Sequence, residues 1–203
     1  MSEILQAYLL YGLAWIAFGI AHSVLASKTL KRQLAHIASA SYRLTYNGFA
    51  IISLIVTFWV GYLVFAETDA FVLTNTIKVA LGITQISGWF LMYFALRQYD
   101  LGRFAGTHQL KNRNTDALSD DDESLQTKGL HLYVRHPLYS AVFLVLWGTA
   151  WTPFGLATAI FGSGYLLIGT YFEERRLLAR HGETYADYHN RVPAFIPWRG
   201  RAV

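Results

Sequence analysis

The apolar residues of this 203-residue chain come in long blocks, and most of its charged residues are gathered into the stretches between them. At 1.5 Å per helical residue, a block of about 20 residues crosses a hydrocarbon layer of roughly 30 Å. This layout constrains the chain to a polytopic membrane protein more strongly than any single motif. Composition agrees: 54% of the residues are hydrophobic and 15% charged, against about 25% charged in soluble domains. There is no cysteine, which excludes disulfides, thiolate zinc sites, iron–sulfur clusters and a cysteine nucleophile. The net charge of +4 resides in basic residues flanking the apolar blocks, where they set membrane topology, and nucleic-acid binding is discarded.

Hydropathy predicts an all-α fold with five transmembrane helices at about 4–26, 44–66, 77–96, 137–151 and 154–172. The first block lacks the basic leader and cleavage site of a secretory signal, so it is read as a retained helix. Lys78 lies close enough to one end of the third block to snorkel into the headgroups. Thr152 and Pro153 make the last two blocks a tight hairpin. A loop at 97–136 and a short helical tail at 173–203 complete one membrane-embedded domain, 1–203. Lys28, Lys31, Arg32 and Arg43 lie between the first two blocks without an acid, whereas Glu67 and Asp69 lie between the second and third without a base. Basic residues near helix ends stay cytoplasmic. The amino terminus is therefore expected outside and the carboxyl terminus, the loop and the tail in the cytoplasm. The acidic run at Asp120, Asp121, Asp122 and Glu123 reads as a solvated loop.

Several chemistries are disfavoured by spacing. Gly162, Ser163 and Gly164 lie inside an apolar block with no preceding strand, so close helix packing explains them better than a phosphate loop. His22, His36, His108, His131, His136, His181 and His189 show no metal-ligand spacing, and no metal site is expected. His22 reads as a hydrogen-bonded packing residue, with a functional role left open by its membrane depth. A transporter is weakly supported, because the blocks hold almost no ionisable groups beyond His22 and Lys78 and show no inverted repeat.

Two constellations remain. In the first, Gly129, Tyr133, Arg135, His136, Pro137 and Tyr139 place an Arg-His pair directly before a helix that Pro137 can open. The pair either anchors the helix at the headgroup level or, with the positive end of the helix dipole, receives an anion. In the second, Glu173 and Glu174 are followed by Arg175, Arg176, Leu177, Gly182, Tyr185, Tyr188, Val192 and Pro193. Adjacent carboxylates on a helix point about 100° apart, so one can face inward while the other faces water or an arginine. Two acids at the end of a membrane helix oppose its dipole, unless Arg175, Arg176 or a cationic ligand compensates.

At these residues, over roughly 129–197, the chain resembles the isoprenylcysteine carboxyl methyltransferase family and the related phospholipid methyltransferases. The residues Gly129, Tyr133, Arg135, His136, Pro137 and Tyr139 match one family pattern. Glu173, Glu174, Leu177, Gly182, Tyr185, Tyr188, Val192 and Pro193 match the other. Further forward, Ala21-His22-Ser23 and Tyr42-Arg43-Leu44-Thr45-Tyr46-Asn47, with Leu96-Arg97-Gln98 more weakly, look like the bacterial methanethiol methyltransferase and NnrU-type branch. His131 stands where the family more often has Tyr. The resemblance implies an inner-membrane, S-adenosylmethionine-dependent methyltransferase with a cytoplasmic pocket and no Rossmann domain. Its acceptor would be a small thiol or a lipid or prenyl-type molecule. It implies catalytic roles for His136, Glu173 and Glu174. Cofactor contacts fall to Gly129, Tyr133, Arg135, His136, Pro137, Tyr139, Glu173, Glu174 and Tyr185. The alternative is a non-catalytic NnrU-type membrane protein that modulates a partner complex.

Overall fold

The structure, a computed structural model, describes residues 2–27, 42–99 and 125–199. The side chain of Arg43 and the acidic run at 120–123 lie outside the described residues, as do Lys28, Lys31, Arg32, His36 and His108. The described residues are all-helical: α1 (Glu3–Ala26), α2 (Tyr42–Val64), α3 (Asn75–Leu96), α4 (Pro137–Gly148), α5 (Pro153–His181) and α6 (Glu183–Arg191), with a 3-10 turn at Gly129–Leu132. Four helices, α1, α2, α3 and α5, are long and apolar enough to cross a membrane. The described residues fall into two compact units, one containing α1 and α2, the other α3 to α6.

In the first unit the two helices run antiparallel, joined by a ladder of aromatic edges. Phe65 meets Tyr8 at 5.1 Å and Tyr11 at 6.0 Å between ring centroids, and Phe58 meets Trp15 at 6.0 Å. Ala7, Tyr11, Trp15 and Phe18 are buried at helical spacing along one stripe of α1, while Leu9, Leu13, Ile16 and Ile20 remain exposed. Exposed apolar side chains around the rest of the circumference suit a lipid surround, in which close packing holds helices together. His22 closes the ladder, its Nε2 lying 2.6 Å from the Tyr46 hydroxyl, a packing partner of the kind its sequence context suggests.

In the second unit α3 and α4 approach so closely that a Cβ on Gly88 would lie 2.6 Å from Val145 N, and one on Gly148 would lie 2.4 Å from Gln85 Cβ. The helix expected over 137–151 stops at Gly148, and its 12 residues rise only about 18 Å. Thr149 caps it, with its backbone N–H bonded to Leu146 O and Trp147 O. Pro153 then restricts Thr152 to an extended conformation (φ −126°, ψ 158°). Thr152 Oγ1 accepts from Gly155 N at 2.9 Å and so starts α5.

α5 corrects a sequence expectation. Rather than ending at 172, it runs on to His181 and carries Glu173 and Glu174 in its interior. Hydropathy falls at Glu173, but residues 173–180 are mostly strong helix formers, and the helix continues until Gly182. The two acids therefore do not face the end of a helix dipole. Gly182, at φ +53° and ψ −129°, takes a backbone conformation that favours glycine and separates α5 from α6. The small-residue stretch packs only in part: Gly162 is buried and Ser163 accepts from Trp147 Nε1 at 3.1 Å, whereas a Cβ on Gly164 or Gly169 would meet nothing within 4 Å.

These contacts set the register. Eleven residues on from the Gln85–Gly148 contact, Leu96 lies level with Pro137. Eleven residues on from the Trp147–Ser163 bond, His136 lies level with Glu174. The end of α3, the start of α4 and the glutamate pair thus share one level. α3 has 22 residues and spans about 33 Å, the thickness of a hydrocarbon layer of roughly 30 Å, and this level lies at one end of it.

Candidate active site

Gly129, Gln98 and Pro137 determine the path of the backbone into the Arg135-His136 pair. Gly129 adopts φ +62°, and a Cβ there would lie 2.3 Å from Gln98 Oε1. That oxygen accepts from Leu130 N at 3.0 Å, fastening the 3-10 turn to the end of α3. Pro137 opens α4 at its first position, where a missing N–H costs nothing. Between turn and helix, Arg135 N and His136 N donate to Pro193 O and Ala194 O at 2.9 and 3.0 Å. The Val-Pro segment after α6 is thereby laid directly against the pair. Ser140 Oγ adds a bond to Phe195 O at 2.8 Å.

The two glutamates are used unequally. Glu174 Oε1 accepts from Arg135 Nε at 2.8 Å and from His136 Nε2 at 2.9 Å, and lies 2.7 Å from Arg135 Nη2. His189 Nε2 lies 3.4 Å from the other oxygen, Oε2. Arg135 Nη1 also donates to His189 O and Val192 O, so most of the guanidinium donors have partners inside the protein. Glu173, with a more exposed side chain (33% against 18% for Glu174), accepts from the Tyr139 hydroxyl at 3.0 Å. Its Oε2 lies 3.9 Å from His136 Nδ1. The His136 and Tyr139 rings stack at 5.5 Å and 7°. Arg175 turns away to the Tyr171 hydroxyl at 3.1 Å, so the pair is balanced mainly from α4 and its approach.

A carboxylate can only accept a hydrogen bond. Nε2 of His136 therefore carries a proton toward Glu174, and in the neutral form of the ring the lone pair is on Nδ1. An imidazole oriented by a carboxylate in this way is arranged to take a proton at its second nitrogen.

The remaining expected residues divide between a cleft and the core. Gly129 and Tyr133 line an open cleft of about 530 Å³, with Leu130 on the same wall and Phe94, Arg97 and Gln98 opposite. This volume lies in the range of small-molecule pockets. Tyr185 is fully buried beside Tyr188 and Val192, with its hydroxyl under the influence of the Arg135 and Glu174 charges. Burial, and then the neighbouring Glu174, hold its phenol protonated far above the usual range. His131 is buried too, with Nδ1 bonded to Arg135 O at 3.0 Å and its carbonyl accepting from Tyr188 OH at 2.7 Å. Burial pushes its imidazole pKa down, the bond to Arg135 O and the Glu173 charge oppose this, and His136 adds to the downward push when it is protonated. No group of three or more His, Asp or Glu side chains among the described residues could hold a metal ion.

Three further participants are not assigned to the site by the sequence: Gln98, which enters there only through the family resemblance, His189, weighed only as a metal ligand, and Phe195. His189 follows Tyr185 by four residues, the spacing of one helix face, and this could have marked it. Phe195, 5.8 Å from His136 and 5.0 Å from Phe143 between centroids, had no periodic signal.

The described residues are all-helical, with four helices long and apolar enough to cross a membrane, and the comparisons with known proteins add the class of activity, a methyltransferase. Methanethiol S-methyltransferase 2 of Bradyrhizobium diazoefficiens is 31% identical over 196 residues, covering 95% of this chain and 74% of that protein. The methanethiol S-methyltransferase of Crocosphaera subtropica is 29% identical over 209 residues (91% and 72%), and that of Pseudomonas deceptionensis 28% over 189 residues (89% and 69%). The chain belongs to the methanethiol S-methyltransferase family, in agreement with the resemblance carried by its motifs. No protein-family model matches the chain, and no solved structure does.

Proposed function

We propose that this methyltransferase passes the methyl group of S-adenosylmethionine to a small thiol at the cytoplasmic face of a bacterial inner membrane. The observation that carries this reading is the unequal use of the adjacent glutamates. Glu174 is held by Arg135, His136 and His189, while Glu173 keeps a half-exposed carboxylate with a phenol as partner. The names of the relatives favour a thiol acceptor over a lipid one.

S-adenosylmethionine combines an ammonium, a sulfonium, a carboxylate and a purine, so its site needs both signs of charge and aromatic walls. The residues fit. Glu173 can hold the cationic groups, Arg97 supplies an exposed cation at the cleft for the carboxylate, and Phe94 and Tyr133 offer aromatic surface at the same level. Arg135 and Tyr185 act behind this layer, one bonded to the tail and the other in the core. When bound, the cofactor supplies a methyl carbon on positively charged sulfur. The protein's part is alignment, exclusion of water and removal of the thiol proton to His136 Nδ1, after which the sulfur attacks as thiolate.

The same reading takes the chain as one membrane-embedded domain crossing the bilayer five times, α4 being a short fourth crossing whose far end is met by Phe71 from the segment before α3, through Phe71 N to Trp151 O. Five crossings put the termini on opposite sides, the amino terminus outside. Transfer of label from the cofactor's methyl group to methanethiol, read as a volatile thioether, tests the reaction. Label recovered in extracted lipid would identify a lipid acceptor instead.

A further inference from the structure

Ile196 and Trp198 are large apolar residues, 66% and 67% exposed, at the end of the segment that pairs with the active-site backbone. Their height in the layer is fixed. Residues 193–195 are tied to Arg135 N, His136 N and Ser140 Oγ, at the level where α3 ends and α4 begins. The two side chains therefore emerge at the membrane–water boundary, where tryptophan is favoured. Arg199, bonded to Asn190 O, holds the far end of the segment against α6. Charge fits an anionic surface: Arg191, Arg199 and Arg201 follow Asp187, and no acidic residue comes after it. Juxtamembrane arginines of this kind are attracted to anionic lipid.

We propose that Ile196, Pro197 and Trp198 seat in the headgroup layer of an anionic bilayer, and that this seat holds residues 193–195 against Arg135 and His136. The lipid surface thereby becomes part of what keeps the active-site backbone in place. The inference rests on the membrane level set by α3 and α5, and it stands or falls independently of the methyl acceptor.

Because the chain has no cysteine, Ile196→Cys, Trp198→Cys and, as a solvent control at the far end of α6, Glu183→Cys can each carry one spin label. The full chain is placed in nanodiscs of phosphatidylcholine with or without phosphatidylglycerol, and collision with oxygen is compared with collision with a water-soluble nickel chelate. Labels at 196 and 198 are expected to favour oxygen several-fold over the label at 183, more so with phosphatidylglycerol. Equal chelate access at all three sites would overturn the seat, and equal depth in both lipids would overturn the anionic preference. For the coupling, Trp198→Ser is expected to speed amide exchange in the peptide containing Arg135 and His136 by about tenfold, with Trp198→Phe restoring protection. Unchanged exchange in Trp198→Ser, or exchange just as fast in Trp198→Phe, would overturn the coupling.

Discussion

Arg135 meets Glu174 through two nitrogens on a single carboxylate oxygen, Nε at 2.8 Å and Nη2 at 2.7 Å. Thirty-nine residues separate the two in sequence. The same guanidinium reaches His189 O and Val192 O, so this pair ties the approach to α4, the middle of α5 and the tail after α6 into one cluster. Glu173 lies one residue away and is left to other work.

Breaking the cluster from one side should cost stability. Arg135→Ala leaves Glu174 partly buried with a cation removed, an imbalance worth about 2–4 kcal/mol once discounted for its partial exposure. Thermal unfolding in detergent should show the loss. The double change Arg135→Met with Glu174→Leu should be less destabilised than either single change, because no unpaired charge remains.

Glu173→Gln should separate binding from folding. Losing one charged contact of about 1.5–3 kcal/mol weakens calorimetric binding of S-adenosylhomocysteine by roughly tenfold or more, with the melting temperature nearly unchanged. A large drop in melting temperature would place Glu173 in the structural cluster beside Glu174.

His136→Asn should lower kcat with a thiol acceptor by about 10²–10⁴-fold, the range for loss of a general base. The deficit should shrink as pH rises toward the thiol's own pKa, which for a simple alkanethiol lies above the roughly 8.5 of cysteine, since the acceptor then arrives ionised. A deficit independent of pH would mean that His136 only positions its neighbours.

His131 predicts an acid-sensitive fold. Its folded pKa lies below the unfolded value, so the unfolded chain binds the proton more readily. The contribution is present in full above about pH 6.5 and is lost as pH falls from there through the lower folded value. Melting curves between pH 7 and 5 should show this slope, and His131→Gln should flatten it.

Much of this architecture can be read in the sequence, for identifiable reasons. The long apolar blocks were legible because lipid permits apolar residues on every face, so hydropathy alone marks α1, α2, α3 and most of α5. Pro137 marked the start of α4 because its ring is tolerated at a helix's first position. The 100° between Glu173 and Glu174 allowed for their unequal use without saying which would turn inward. Hydropathy misplaced the end of α5, because it tracks transfer into lipid while the helix follows backbone propensity up to Gly182. It also ran α4 three residues too far, since Ala150 and Trp151 are apolar but Thr149 already caps the helix. The pairing of Arg135 and His136 with Pro193 and Ala194 leaves no periodic trace. Nor does Gln98 reaching Leu130 across 32 residues. Such contacts depend on where the helices bring distant segments together.

The most direct test of the account is methyl transfer by the purified protein from S-adenosylmethionine labelled on its methyl group, offered methanethiol in a sealed vial. The account predicts label in the headspace as a volatile thioether, lost in His136→Asn and weakened in Glu173→Gln at limiting cofactor. A folded wild-type protein that neither releases labelled thioether nor binds S-adenosylhomocysteine would contradict it.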